Sequence, residues 1–397
     1  MVPVLELYKT RASTPGSVFA SMQATVADLN IATFDVYGDY NELPATSYLR
    51  RFEAQVAGDL GKEDALFVPS GVMAQNIVMC INKEEASGGS NSFACSFSSH
   101  LLLHEQEAYK SLLGQEALVV QADLDCEIQT PLPLSLHEKI EPILQRHGPH
   151  TLLVEVPERE IGGKCAPMKD LRALSASCKA HGVKLHCDGA RLWEATSFYC
   201  NEESNESSDE EEGPVTLQEL CGLFDSVYVS FYKGIGASTG AMLLGTASFI
   251  AKARVYLRRF GGNLFTQAPF AIDCMANYAL NKAAFPARKE KLCRVAAAIT
   301  AITSNDLVRL DPPVPDVNMV HVYFQTDRLD VLLAAREAAI AKTGIACFAA
   351  GALKRGKFGA ANQCYIEMTM GAANAAIDLD KWVAGWRGLA DEMLRLL

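Results

Sequence analysis

Between residues 49 and 60 the apolar positions fall at helical spacing. Leu49, Phe52, Val56 and Leu60 make one face, and Gly61 stands where a helix C-cap is needed. Beyond that point the period shortens. Ala65–Val68, Thr151–Val156, Val183–Cys187 and the run through Val227, Val229 and Phe231 are short, apolar and rich in β-branched residues, so they read as buried strands. Helical patterns separate them, one opening at Ser70 and another carried by Leu171, Leu174 and Cys178 and closed at Gly182. Strands alternating with helices over long crossovers predict an α/β fold with a mostly parallel sheet. After residue 285 helix-rich runs and a strand at Met319–Phe324 predict a smaller α+β domain. The expected layout is an N-terminal arm over 1–30, a large domain over 31–284 and a small C-terminal domain over 285–397. Two polar interruptions stand out: a Gly/Ser-rich loop from Glu84 to Ser92, and the acidic low-complexity run 201–213, read as a solvated insert.

Composition narrows the class. Of 397 residues, 49% are hydrophobic and 21% charged, as in a soluble globular protein. The net charge of −11 argues against a general nucleic-acid binder. Seven of the acidic groups lie between Glu202 and Glu212, so the remainder of the chain is near neutrality. The 12 cysteines contain no CxxC pair, so they read as reduced core thiols rather than zinc ligands or staples, and no metal is expected. No segment reaches the roughly 20 apolar residues of a membrane span. Without a signal-like opening, a cytoplasmic setting is expected.

Two stretches carry candidate chemistry. Lys233 follows the strand through Val229 and Phe231 and precedes Gly234 and Gly236, which free the backbone to turn. A lysine held beside an apolar strand has a depressed pKa and suits Schiff-base chemistry; on a surface turn it would do nothing. Asp188 closes the strand after Gly182, on the edge where open α/β sheets bind ligands. Pyridoxal 5'-phosphate needs a lysine for the imine and a carboxylate for its ring nitrogen, and Lys233 with Asp188 would supply both. Ser70-Gly71-Val72 opens a helix after a strand, where exposed N–H groups suit a phosphate or simply make a turn. His100 and His104 sit one helical turn apart in a Leu-rich run, as core histidines or as proton carriers.

Asp188-Gly-Ala-Arg191 followed by Ser230-Phe-Tyr-Lys-Gly-Ile-Gly236 resembles the threonine aldolase and β-eliminating lyase family, a branch of the fold-type-I, aminotransferase-like pyridoxal phosphate enzymes. Phe34–Tyr40 and Phe67–Ala74 are similar to further family segments, and the likeness runs roughly from Phe34 to Ala279. It implies a cofactor phosphate on Ser70, Gly71 and Val72 with Ser230 as a further donor. It also implies His100 stacked on the cofactor with Glu105 behind it, and Arg191 at the substrate carboxylate or the ring hydroxyl. The implied reaction is aldol cleavage of an amino acid such as L-threonine or L-allo-threonine to glycine and an aldehyde, in a homodimer or homotetramer. β-Elimination, hydroxy-amino acid dehydration and racemisation use the same carbanion. A non-catalytic relic of the fold, working through its acidic insert, is the reading from another class. Several places depart from the family pattern. Val72 replaces a threonine, Lys9-Thr10-Arg11 replaces a Ser-Asp-Thr segment, and Arg159 stands in a run that commonly holds asparagine. The late strand around Tyr365–Thr369 carries Glu367 where a substrate-binding arginine is expected.

Overall fold

In the computed structural model, which describes residues 3–86, 88–121, 131–134, 137–200, 215–304, 306–357, 360 and 362–397, the chain begins with a two-residue strand, β1 (Leu5–Glu6). The acidic insert 201–213 lies outside the described residues. The main sheet follows from β2 (Asp64–Val68), β3 (Ser92–Ser96), β4 (Glu116–Val120), β5 (Thr151–Glu155), β6 (Lys184–Gly189), β7 (Ser226–Ser230) and β8 (Ala241–Gly245). Its order is β2-β8-β7-β6-β5-β3-β4, with β8 antiparallel to both neighbours and every other pairing parallel.

The strands read as nearly unbroken apolar runs because both faces of the sheet are covered. Side chains alternate between the faces: Val227 and Val229 of β7 join one core cluster and Tyr228 another. Ala74, Ile77, Val78 and Ile81 of the helix Gly71–Glu85, and Ile250 and Leu257 of the helix Ala247–Arg259, cover the Tyr228 face. The opposite face is covered by the helices Tyr48–Asp59, Met168–His181 and Ala268–Asn281. Leu171, Leu174 and Cys178 are buried there, as their spacing predicts. Gly61 and Gly182 follow their helices with φ of +64° and +67°.

Three sequence readings shift. The helix Gly71–Glu85 runs on into the expected polar loop, because Tyr256 and Lys252 hold Glu84 and Glu85. Asp188 lies inside β6 rather than past it, since the strand extends to Gly189. The Leu-rich run after Ser99 makes only one turn, His100–Leu103, and Gln106 and Glu107 then take positive φ.

The C-terminal part holds β9 (Val308–Asp311), β10 (Met319–Phe324), β11 (Ile345–Ala346), β12 (Lys354–Arg355) and β13 (Cys364–Thr369). Four of these form an antiparallel sheet in the order β12-β13-β10-β9, while β11 pairs in parallel with β1. Leu7 is buried in the C-terminal core with Trp382 and Trp386, so the arm is packed onto that part of the chain. The helix Pro15–Asp28 buries none of its side chains. Among the described residues no helix is long and apolar enough to cross a membrane.

Candidate active site

Lys233 owes its place to the residues around it. Phe231 is fully buried, with its ring centroid 5.2 Å from Phe52 and 5.8 Å from Tyr278. Burying such a ring contributes about 1.5–3 kcal/mol, enough to fix the chain two residues before the lysine. Beyond it Gly236 turns the backbone with φ of +98°. Arg11 reaches in from the arm and donates to the carbonyls of Tyr232, Lys233 (2.7 Å) and Ala237 (3.2 Å). Burial lowers the Lys233 amine to about 8, helped by Arg191 and Arg159 and opposed by Glu367.

Asp188 stands in register with Tyr228 of β7 and Glu155 of β5. Its Oδ2 accepts from Gln75 Nε2 at 2.7 Å and its Oδ1 from the Ala190 N–H at 3.0 Å. The amide of Gln75 is itself fixed. Its Oε1 lies 3.1 Å from His186 Nε2, and His186 Nδ1 lies 2.8 Å from Ser226 Oγ. Burial pushes His186 down to about 3, so the ring is neutral, and this network assigns its proton to Nε2. Burial raises the Asp188 carboxyl while His100 and Arg191 oppose it. Glu155 is raised well above the carboxylate range by burial and by Asp188.

Gly71 starts its helix beneath Tyr228, whose hydroxyl any Cβ there would strike. Ser70 spends its side chain on the helix cap, accepting from the Met73 N–H at 3.3 Å. The N–H groups of Gly71 and Val72, at the first turn, have no intrahelical acceptor. Ser230 is fully buried and its Oγ has no partner among the described residues. His100 Nδ1 lies 3.0 Å from Glu105 Oε1, while the His100 N–H donates to Glu155. The His104 ring centroid is 5.0 Å from that of His100, and its Nε2 lies 2.7 Å from Glu160 Oε1.

Gly71, Val72, His100, Asp188, Arg191 and Lys233 therefore line one cavity, together with Glu155, Arg159 and Tyr232. Ser70 and Ser230 flank it without lining it. A second cavity of about 500 Å³ opens beside it, sharing Arg191, Tyr232 and Lys233, and is walled by Thr10 and Arg11 of the arm and by Glu367 and Met368 of β13. A row of alternating charges crosses the junction. Arg159 Nη1 is 2.8 Å from Glu160 Oε1, Arg159 Nε is 2.8 Å from Glu367 Oε2, and Arg191 Nη2 is 4.0 Å from Glu367 Oε1. Arg191 Nε is also 3.7 Å from Glu194 Oε1. Burial disfavours the Glu367 charge, yet Arg191 and Arg159 hold its carboxyl below the ordinary value. Glu194, more deeply enclosed, is raised to about 7.

Sequence reasoning did not find Gln75, His186 or Glu155 as site residues, nor the clasp made by Arg11. Gln75 was within reach, since it lies one helical turn from Gly71. Glu155 and His186 carried only a strand signal.

The residues fit pyridoxal phosphate on structural grounds. Free helix-terminal N–H groups at Gly71 and Val72 suit a phosphate, and the amine and buried carboxylate in the same cavity suit the ring. Fold and site together define the fold-type-I class. The chain belongs to the β-eliminating lyase family, whose profile matches residues 17–327. A low-specificity L-threonine aldolase from Saccharomyces cerevisiae is 28% identical over 227 residues, which cover 57% of this chain and 54% of that protein. Two crystal structures are each 30% identical with a TM-score of 0.80, covering 98% of this chain and 96% of theirs. One, from Exiguobacterium sp. 255-15, is provisionally an aromatic amino acid β-eliminating lyase/threonine aldolase. The other, from Listeria monocytogenes EGD-E, is provisionally an L-allo-threonine aldolase. The chain spans about half the length of the curated relatives it matches.

Proposed function

We propose that the protein is a pyridoxal-phosphate-dependent lyase that cleaves a β-hydroxy-α-amino acid, such as L-threonine or L-allo-threonine, to glycine and an aldehyde. One observation carries this reading: Lys233 and Asp188 meet in a single cavity with the open first turn of the helix Gly71–Glu85. The names of the similar proteins support it.

When bound, the cofactor supplies an electron sink for charge that develops at the substrate Cα. The chain supplies the rest. The Lys233 amine, at about 8 instead of its usual 10.5, is available as a nucleophile near neutral pH. Asp188, held by Gln75 and Ala190, would pair with the cofactor's ring nitrogen and favour its protonated form. The N–H groups of Gly71 and Val72 would hold the cofactor's phosphate, with Ser70 fixing the turn through its cap, while Ser230 stays buried outside the cavity lining. Glu105 on Nδ1 fixes the His100 tautomer, so Nε2 is left to take the proton of the β-hydroxyl. Arg191 and Arg159 attract the substrate carboxylate. A homo-oligomer in the cytoplasm belongs to the same reading; the uncovered apolar side chains Phe19, Phe34 and Leu43 support the oligomer alone.

The test is aldehyde release from L-allo-threonine and L-threonine by the cofactor-loaded protein, with Lys233→Ala beside it. Release that vanishes in the variant, along with the visible absorbance of bound cofactor, is the expected result. A protein that takes up cofactor yet releases no aldehyde from any β-hydroxy-α-amino acid would overturn the aldolase reading.

A further inference from the structure

The turn that carries Lys233 is held from two sides by guanidiniums from distant parts of the chain. On one side Gly234 is seated against Phe285 and Glu194, both within 3.0 Å of where a Cβ would stand. Arg288, one turn along the helix Phe285–Ile302, donates to the Gly234 carbonyl at 3.1 Å and to the Asn281 side chain. On the other side Arg11 of the arm donates to the carbonyls of Tyr232, Lys233 (2.7 Å) and Ala237 (3.2 Å). Four carbonyls of the turn 232–237 thus accept from two cations. Arginine suits this work, since its planar fork presents five donors in fixed directions.

The arm reaches the turn from a firm base. β1 pairs in parallel with β11, and Leu7 is buried in the C-terminal core. The Leu7 carbonyl accepts from Asn374 Nδ2 at 2.9 Å, and the Thr10 carbonyl accepts from the Ala373 N–H at 3.1 Å. Gly371 lies so close to Thr10 that a Cβ on it would strike that residue. Arg11 therefore follows a stretch fixed to the C-terminal part of the chain, while its guanidinium grips the lysine turn. Within that turn the Gly236 N–H donates to the Lys233 carbonyl at 3.0 Å, and the Ala237 N–H to the Phe231 carbonyl at 2.9 Å. Such bonds are local, and a turn with two glycines and no outside hold fluctuates readily.

We propose that Arg11 is a positioning residue for Lys233. With Arg288 it fixes the turn 232–237 by its carbonyls, and so fixes where the lysine amine stands in the cavity with Asp188 and Gly71. The arm then couples the C-terminal part of the chain to the lysine. Arg11 acts on backbone placement, because its charge is directed at carbonyl oxygens. That Lys233 engages the cofactor rests on the reading of the preceding section; the hold on the turn does not.

Two measurements test this with Arg11→Met, at an exposed position whose loss leaves the core intact. The first is amide hydrogen exchange of the cofactor-free protein. Exchange at Gly236 and Ala237 should quicken by about tenfold or more, while Val227 and Val229 of β7 keep their protection. The second is the affinity for pyridoxal 5'-phosphate, measured by equilibrium dialysis. Arg11→Met should weaken it about tenfold in the wild-type background and less than about twofold in Lys233→Ala, because the effect passes through the lysine. Arg11→Lys, which keeps the charge and loses the fork, should fall between wild type and Arg11→Met in both measurements. Unchanged exchange at Gly236 and Ala237 overturns the proposal whatever the cofactor does. Equal weakening in both backgrounds overturns it too, since Arg11 would then support the fold or the phosphate instead of the lysine. Quickened exchange in a protein that binds no pyridoxal 5'-phosphate would sink the lyase reading and leave the hold on the turn standing.

Discussion

The two ends of the site are built in opposite ways. The cofactor end draws on short stretches at the edge of one sheet: Gly71 after β2, Asp188 in β6 and Lys233 after β7. Its groups are held by neighbours in the same sheet or by one helix, through hydrogen bonds such as that from the Gln75 amide to the Asp188 carboxylate. The substrate end is assembled across the molecule. Arg159 comes from the loop after β5, Arg191 follows β6, Glu367 belongs to the C-terminal sheet, and Arg11 comes from the arm. Charge pairs join Arg159, Arg191 and Glu367, and Arg11 holds on through backbone carbonyls. A chemistry shared by many reactions can rest on rigid sheet edges, while the groups that choose a substrate sit where separate parts of the chain meet.

That contrast predicts a graded set of effects. The largest belong to the cofactor end. Asp188→Asn keeps the shape and removes the charge that protonates the ring, so turnover should fall about 10²–10³-fold with little change in melting temperature. An unchanged turnover would mean that the buried carboxylate is structural. Gln75→Ala comes next. Losing one hydrogen bond to a charged group costs about 1.5–3 kcal/mol, so cofactor affinity should weaken roughly tenfold or more, and Gln75→Glu should not restore it. Equilibrium dialysis of the cofactor distinguishes this from a simple loss of fold.

At the substrate end, Arg159→Met should raise KM by about tenfold and leave kcat nearly intact, because the lost contact is made before and during reaction alike. A fall in kcat with constant KM would move Arg159 into the chemical step. The smallest effect links the two ends. Lys233 titrates near 8, so cofactor uptake by the cofactor-free protein should rise with pH to a midpoint near that value. Arg159 lowers this pKa and Glu367 raises it, so Arg159→Met should move the midpoint up and Glu367→Gln should move it down. The linkage carries a sign for stability too. The folded chain sheds the lysine proton near 8 and the unfolded chain near its ordinary 10.5, so the cofactor-free protein should gain stability from this group as pH rises between those values. A Lys233→Met variant should lack that gain.

The cofactor end was largely legible from sequence because its residues lie next to the signals that define strands and helix starts. Lys233 follows an apolar run, Asp188 closes one, and Gly71 opens a helix. Gln75 and His186 escaped because a helical amide and a strand imidazole carry no local mark of a shared hydrogen-bond chain across 111 positions. Arg159 and Glu367 were each visible as oddities in separate segments. Their meaning was not visible, since neither residue predicts a partner 208 positions away.

By itself, then, the sequence determined the strand-and-helix alternation, the parallel sheet and the lysine and aspartate at its edge. Those follow from periodicity and from chemistry confined to a few adjacent residues. Tertiary structure alone decided that Glu367 of β13 meets two arginines, that the arm clasps the lysine loop, and that burial beside Asp188 raises the Glu155 carboxyl. Charges act through space and burial sets their strength, and neither separation in space nor burial is written in the order of residues.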